Sequence, residues 1–197
     1  FSPFKNDDAR DITTDGGSGF SETSSDYLSV SSSINAKFGT SNFTVEGWIY
    51  PKDLADQYNT IFDYGTNAGT TGAWWALHAG SGGTIELHTN NGSLKIVSSS
   101  GVVQVGEWSH FAVVRSGTTF TVYVNGVNVG STTASYNISD GNTRTLYTYY
   151  QANSGRNFNG YLSDARIVKG TAVYTSAFTP PTSPLTAVTN TELLLNF

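Results

Sequence analysis

Apolar residues recur at alternate positions in short runs along the chain, which is the period of a half-buried β-strand. Phe43-Thr44-Val45-Glu46-Gly47-Trp48-Ile49-Tyr50 shows this most clearly and stops at Pro51, which has no N–H to give a ladder. Comparable runs are Tyr27–Val30, Thr60–Tyr64, Trp74–His78, Ile85–His88, Leu94–Val97, Trp108–Arg115, Phe120–Val124, Val127–Val129, Leu146–Tyr150, Tyr161–Val168 and Leu193–Leu195. Clusters of Gly, Asn and Ser separate them, as turns require. Asn125-Gly126, set between two valines, is the strongest hairpin signal, because such a turn needs residues that accept positive φ. A single turn over Ala172–Ala177 is the one helical expectation.

His110-Phe111-Ala112-Val113-Val114 is apolar at both parities. A strand of that kind is covered on both faces. About a dozen antiparallel strands without helices therefore predict an all-β, two-sheet antiparallel jelly-roll sandwich, with some loop cover outside it.

Composition narrows the function classes. The chain of 197 residues holds 24 Ser, 26 Thr, 16 Asn and 21 Gly, yet 13% of it is aromatic, so it has the apolar groups that disordered chains lack. Ten basic residues against fifteen acidic ones give a net charge of −5, a poor match for a phosphate backbone, so no nucleic-acid partner is expected. No apolar run approaches the length of a membrane-spanning helix. Cysteine is absent, which excludes disulfides and thiolate chemistry. Methionine is also absent and the chain opens at Phe1, which predicts a segment of a larger polypeptide. The expected organisation is an N-terminal connecting segment (1–17), a sandwich domain (18–181) and a C-terminal connecting segment with a late strand (182–197).

The order of motifs carries a resemblance. Ser25-Asp26-Tyr27-Leu28-Ser29-Val30 and the run from Phe43 to Pro51 resemble the opening strands of laminin-G-like domains in the concanavalin A-like superfamily. Gly106-Glu107-Trp108-Ser109-His110-Phe111-Ala112-Val113-Val114-Arg115 is similar to that family's G-x-W-x-H-x-A-V-x-R strand. Tyr123-Val124-Asn125-Gly126 resembles its following hairpin, and Phe158-Asn159-Gly160-Tyr161-Leu162-Ser163-Asp164-Ala165-Arg166-Ile167 its F-x-G-x-L-x-D-x-R-I strand. The tail from Lys169 to Pro181 resembles a subgroup common in large phage virion proteins and bacterial surface proteins. The resemblance implies an extracellular or virion-surface setting.

The resemblance also raises hydrolysis and calcium. The family's glucanases carry Glu-x-Asp-x-x-Glu on one strand, and none of Glu22, Glu46, Glu86, Glu107 and Glu192 stands in that pattern. Retaining hydrolysis needs two carboxylates about 5 Å apart, and the nearest same-face pair is a carboxylate with an imidazole, Glu86 and His88. No enzyme is expected. For calcium, an ion bound by carboxylates and carbonyls, the resemblance points to Asp26 and Asp164, with carbonyls near Gly160.

Sugar binding rests on aromatic faces flanked by polar groups. Adjacent strand residues point to opposite faces, so at most one of Trp74 and Trp75 enters the core, and Tyr149-Tyr150 repeats the argument. These four with His78, Glu86 and His88 form the candidate glycan platform. Trp48 and Trp108, within strand motifs, are expected in the core. Two function classes remain: a non-catalytic, glycan-binding recognition module, or an assembly module docking neighbouring copies or domains.

Overall fold

The computed structural model describes residues 18–20, 38–55, 58–64, 75–89, 94–138 and 158–196. The expected strands Tyr27–Val30 and Leu146–Tyr150 and the segment 1–17 lie outside them. In chain order the strands are β1 (Ser18–Phe20), β2 (Phe43–Pro51), β3 (Asn59–Tyr64), β4 (Trp75–Gly80), β5 (Thr84–Thr89), β6 (Leu94–Val97), β7 (Ser109–Ser116), β8 (Thr119–Val124), β9 (Val127–Thr133), β10 (Gly160–Lys169) and β11 (Thr191–Leu195). They form two antiparallel sheets. One runs β1-β10-β2-β7-β8-β9 with β11 also on β10, and the other runs β3-β4-β5-β6. This is the expected jelly-roll sandwich.

Strand parity decides what lies between the sheets. From the larger sheet come Phe43, Val45, Ile49, Phe111, Val113, Phe120, Val122, Val124, Leu162 and Ile167; from the smaller come Ile61, Leu77, Ala79, Ile85, Leu87 and Ile96. Phe62 and Phe111 meet across the gap with centroids 5.6 Å apart. Gly47 makes room for that ring: a Cβ there would stand 3.2 Å from Phe111 Cε1 and 3.4 Å from the Ala165 Cα.

Opposite Gly47, β10 carries one residue too many. Its register against β2 breaks between Ser163 and Arg166, and Asp164 there takes φ 48°. Such a bulge inverts the parity that follows it. Leu162 and Ala165 both face the core, and Arg166 is turned to the outer face instead of into the apolar interior. The bulge also lies where the outer neighbour of β10 changes from β1 to β11.

The second apolar face of β7 is covered by chain, not by helix. The expected helical turn over Ala172–Ala177 does not form. The segment is an irregular strap whose Ala172, Tyr174 and Phe178 pack on Ala112, Val114 and Tyr123. Its backbone groups bond outward: Val173 N donates to Thr44 Oγ1 (2.9 Å), Thr44 Oγ1 donates to Thr171 O (3.2 Å), and Phe178 N donates to Gly126 O (3.0 Å). Those bonds, with β-branched Thr171, Val173 and Thr175, outcompete a helical ladder. The Leu triplet then pairs with this domain's own sheet, as Ala165↔Leu195, Arg166↔Leu194 and Ile167↔Leu193.

Arg115 is buried at the end of β7 and ties loops together. Its Nε donates to Gly117 O (2.9 Å), and its Nη1 donates to Gly39 O (3.0 Å) and Tyr136 O (2.7 Å). Arg115→Ala would strip three carbonyls of a charged donor, so a loss of about 3 kcal/mol is expected. A lowered urea midpoint with unchanged slope checks it.

Candidate functional site

Three of the expected platform residues, His78, Glu86 and His88, come together on the smaller sheet. Glu86 and His88 share a face of β5 two residues apart, and His78 of β4 stands opposite Glu86 in the register. His88 Nε2 lies 2.9 Å from Glu86 Oε2, and Thr60 Oγ1 lies 3.1 Å from His78 Nδ1. Tyr58 completes the group, with ring centroids 5.2 Å from His78 and 5.6 Å from His88. No local pattern singles out Tyr58, which precedes its strand. Within this cluster His78 is 1% exposed and Glu86 8%, while Tyr58 and His88 are partly exposed. Trp74, Tyr149 and Tyr150 lie outside the described residues. Of Trp75 the backbone position alone is described, at the head of β4 opposite Thr89 and Tyr64.

Of the residues the resemblance raised for calcium, Gly160 and Asp164 stand on one strand four residues apart, with Asp164 in the bulge. Asp164 is buried in the bulge and accepts a bond from Ser163 Oγ at 3.3 Å. Asp26 lies outside the described residues. Among the described residues no group of three or more His, Asp or Glu side chains is placed to hold an ion.

The outer face of the larger sheet holds the features that local reading missed. Trp48 is buried as expected, at 2% exposure, but on the outer face of the larger sheet and not between the sheets, whereas Trp108 lies outside the core. Trp48 has the parity of Glu46 and Tyr50, so it points outward, and its ring meets His110 of β7 at 5.2 Å. Trp108, just ahead of β7, is half-buried beside Tyr50, with centroids 5.5 Å apart. Trp48, Glu107, Trp108 and Asn125 line a cleft of about 470 Å³, whose other wall is Thr179, Pro180 and Thr182 where the strap leaves the sheet. Asn125 Oδ1 accepts from His110 N at 2.9 Å, leaving the amide nitrogen as a donor on the cleft wall.

A buried ionic network anchors that strap. Arg166, turned outward by the bulge, donates to Glu46 Oε1 from Nε (2.8 Å) and Nη2 (2.5 Å), and from Nη1 to Thr186 O (2.7 Å). Tyr174 Oη donates to Glu46 Oε2 at 2.8 Å. His110 Nε2 lies 3.3 Å from the same oxygen. Burial alone would raise the Glu46 carboxyl, but His110, Arg166 and Tyr174 more than offset it and hold it below the ordinary value. Burial, then the Glu46 charge and the hydrogen bond to it, push the Tyr174 hydroxyl up. Glu46 is thus committed to holding structure.

Known proteins place this architecture. The chain is similar in structure to a putative carbohydrate-binding protein from Bacteroides ovatus, with 20% identity, TM-score 0.67 and coverage of 91% of this chain and 50% of that one. It therefore spans half the length of that protein. Domain 4 of the extracellular GH43 arabinanase AbnA from Geobacillus stearothermophilus, solved with arabinotriose, matches at 18% identity and TM-score 0.59, covering 80% of this chain and 72% of that one. The CBM40 of the Ruminococcus gnavus IT-sialidase, solved with α2,3-sialyllactose, matches at 12% identity and TM-score 0.64, covering 80% and 91%. No curated protein matches in sequence. The family profile Laminin_G_3, described as concanavalin A-like lectin/glucanases superfamily, matches residues 22–175, and the chain belongs to that family.

Proposed function

We propose that this domain is a non-catalytic glycan-recognition module and that sugar binds in the cleft between Trp108 and the strap. The observation carrying this reading is the half-buried Trp108 indole flanked by Glu107 and Asn125 in a concave site of about 470 Å³, within the size range of small-molecule sites. An aromatic ring offers a flat apolar surface to one face of a sugar, while the carboxylate and amide are placed to take its hydroxyls. The fold likeness to carbohydrate-binding domains supports the same class. The non-catalytic part rests on the carboxylates: Glu46 is held by Arg166 and Tyr174, and Glu86 is paired with His88. The setting that fits such a module is a cell or virion surface. Calcium is no part of this reading.

Trp108→Ala is expected to weaken glycan affinity at least tenfold, about 1.4 kcal/mol, with little change in melting temperature. Glycan-array retention followed by calorimetric titration measures it. His88→Ala serves as the second arm: full affinity in Trp108→Ala with loss in His88→Ala would move the site to the smaller sheet. A wild-type domain that retains no glycan sinks the reading, and concentration-dependent self-association in a size measurement would then favour assembly.

A further inference from the structure

The aromatic surface does not end at the cleft. Tyr50 of β2 and Tyr161 of β10 are direct cross-strand partners, with ring centroids 5.6 Å apart. The pairing Ile49↔Ser109 brings Trp108 to the other side of Tyr50, at 5.5 Å. Trp108, Tyr50 and Tyr161 therefore form a row of at most about 11 Å running from the head of β7 across β2 to β10, with neighbouring rings tilted by 56° and 41°. All three are half-buried. The strap covers Ala112, Val114 and Tyr123 on this face with Tyr174 and Phe178, and it leaves through Pro180 at the cleft, where the row begins.

Among the described residues, charge along the row is sparse. Glu107 stands at the Trp108 end, and Lys52 lies at the other with Nζ 4.4 Å over the Tyr161 ring. Among the described residues no guanidinium or ammonium lines the cleft. Arg166, on the same face, is buried and fully engaged by Glu46 and Thr186. A carboxylated sugar entering the cleft would meet the Glu107 carboxylate with no guanidinium fork among the described residues to receive it, the nearest described ammonium being Lys52 at the far end of the row. Uncharged sugars meet no such penalty, because their hydroxyls can donate to Glu107.

From this geometry, and resting on the glycan reading above, we infer that the site takes an uncharged oligosaccharide chain laid along Trp108, Tyr50 and Tyr161, not a single terminal or acidic sugar. One sugar occupies the cleft at Trp108, and its neighbours run over Tyr50 to Tyr161.

The test titrates the domain with glucose, arabinose and galactose, with linear trisaccharides of each, and with sialyllactose beside lactose. The expected result is a trisaccharide bound at least tenfold more tightly than its own monosaccharide, and sialyllactose bound no more tightly than lactose. Tyr161→Ala should remove the trisaccharide gain and leave monosaccharide affinity within about twofold. Tyr161→Phe should restore the gain, and Tyr161→Leu controls for lost packing should the alanine variant melt early. Equal affinity for trisaccharide and monosaccharide overturns the inference, as does an unchanged gain in Tyr161→Leu. Preference for sialyllactose that depends on Trp108 overturns it too. Those three outcomes leave glycan recognition standing, whereas no binding by any sugar of the panel removes both.

Discussion

Arg166→Ala is expected to lower the unfolding free energy by about 3–5 kcal/mol, the range for leaving one member of a buried ion pair alone. Glu46 would keep its charge beside Trp48 and the strap, with the Tyr174 hydroxyl donating to it and His110 Nε2 3.3 Å away but no guanidinium. The Thr186 carbonyl would lose its donor as well. Tyr174→Phe removes a single hydrogen bond to a carboxylate and should cost about 1.5–3 kcal/mol. Replacing both ions, as in Glu46→Leu with Arg166→Leu, should recover much of the loss, since a paired apolar replacement strands no charge. Denaturant midpoints for the four proteins measure this order, and an Arg166→Ala variant as stable as the parent would refute it.

The same network sets an acid limit. The folded Glu46 carboxyl sits below its ordinary value of 4.5, so folding favours its ionised form. Its contribution is complete above about pH 4.5 and is lost as pH falls toward and through the folded value. Melting temperature should therefore drop more steeply below pH 4.5 in the parent than in the Glu46→Leu, Arg166→Leu double variant.

Gly126→Ala is the second large effect expected. Gly126 adopts φ +76°, a region where a Cβ costs about 1–2 kcal/mol. Here the added carbon would also overlap the Phe178 carbonyl oxygen and stand 3.3 Å from Pro180 Cδ. The strap must shift, breaking the bond from Phe178 N to Gly126 O. A total near 3 kcal/mol follows, adding a lost hydrogen bond to the backbone cost. Gly117→Ala isolates the backbone part, because Gly117 has φ +61° but nothing within 4 Å of the added carbon. Moving the strap also displaces the Thr179–Pro180 wall of the cleft, so Gly126→Ala should weaken sugar binding while Gly117→Ala does not. Hydrogen exchange at Val173 and Phe178 reports the shift directly.

Much of this molecule is written locally. Alternation from Phe43 to Tyr50 states which residues share a face, and the turn at Asn125-Gly126 states where a hairpin closes, with φ of 49° and 76° at its two positions. The double apolarity of His110–Val114 already called for cover on both sides. Parity also placed Glu86 and His88 together, because two residues on one strand need no partner to share a face.

Other features depend on register between distant segments, which no local pattern encodes. The Trp108–Tyr50–Tyr161 row exists because β2 pairs with both β7 and β10, strands that follow it by dozens of residues. The outward turn of Arg166 comes from one extra residue opposite Gly47, whose effect appears only when the two strands are aligned. Trp48 is buried as expected and Trp108 only half so, both on the outer face, because apolarity marks a residue for burial without naming the face that buries it. The 171–178 strap looked like a helical turn because its backbone partners, Thr44 and Gly126, lie far away in sequence. What the residues determined alone was periodicity and turn chemistry, which depend on neighbours along the chain. Which face is covered, which aromatics stay open and where a cleft forms were decided by cross-strand register, because that alone sets what stands opposite each side chain.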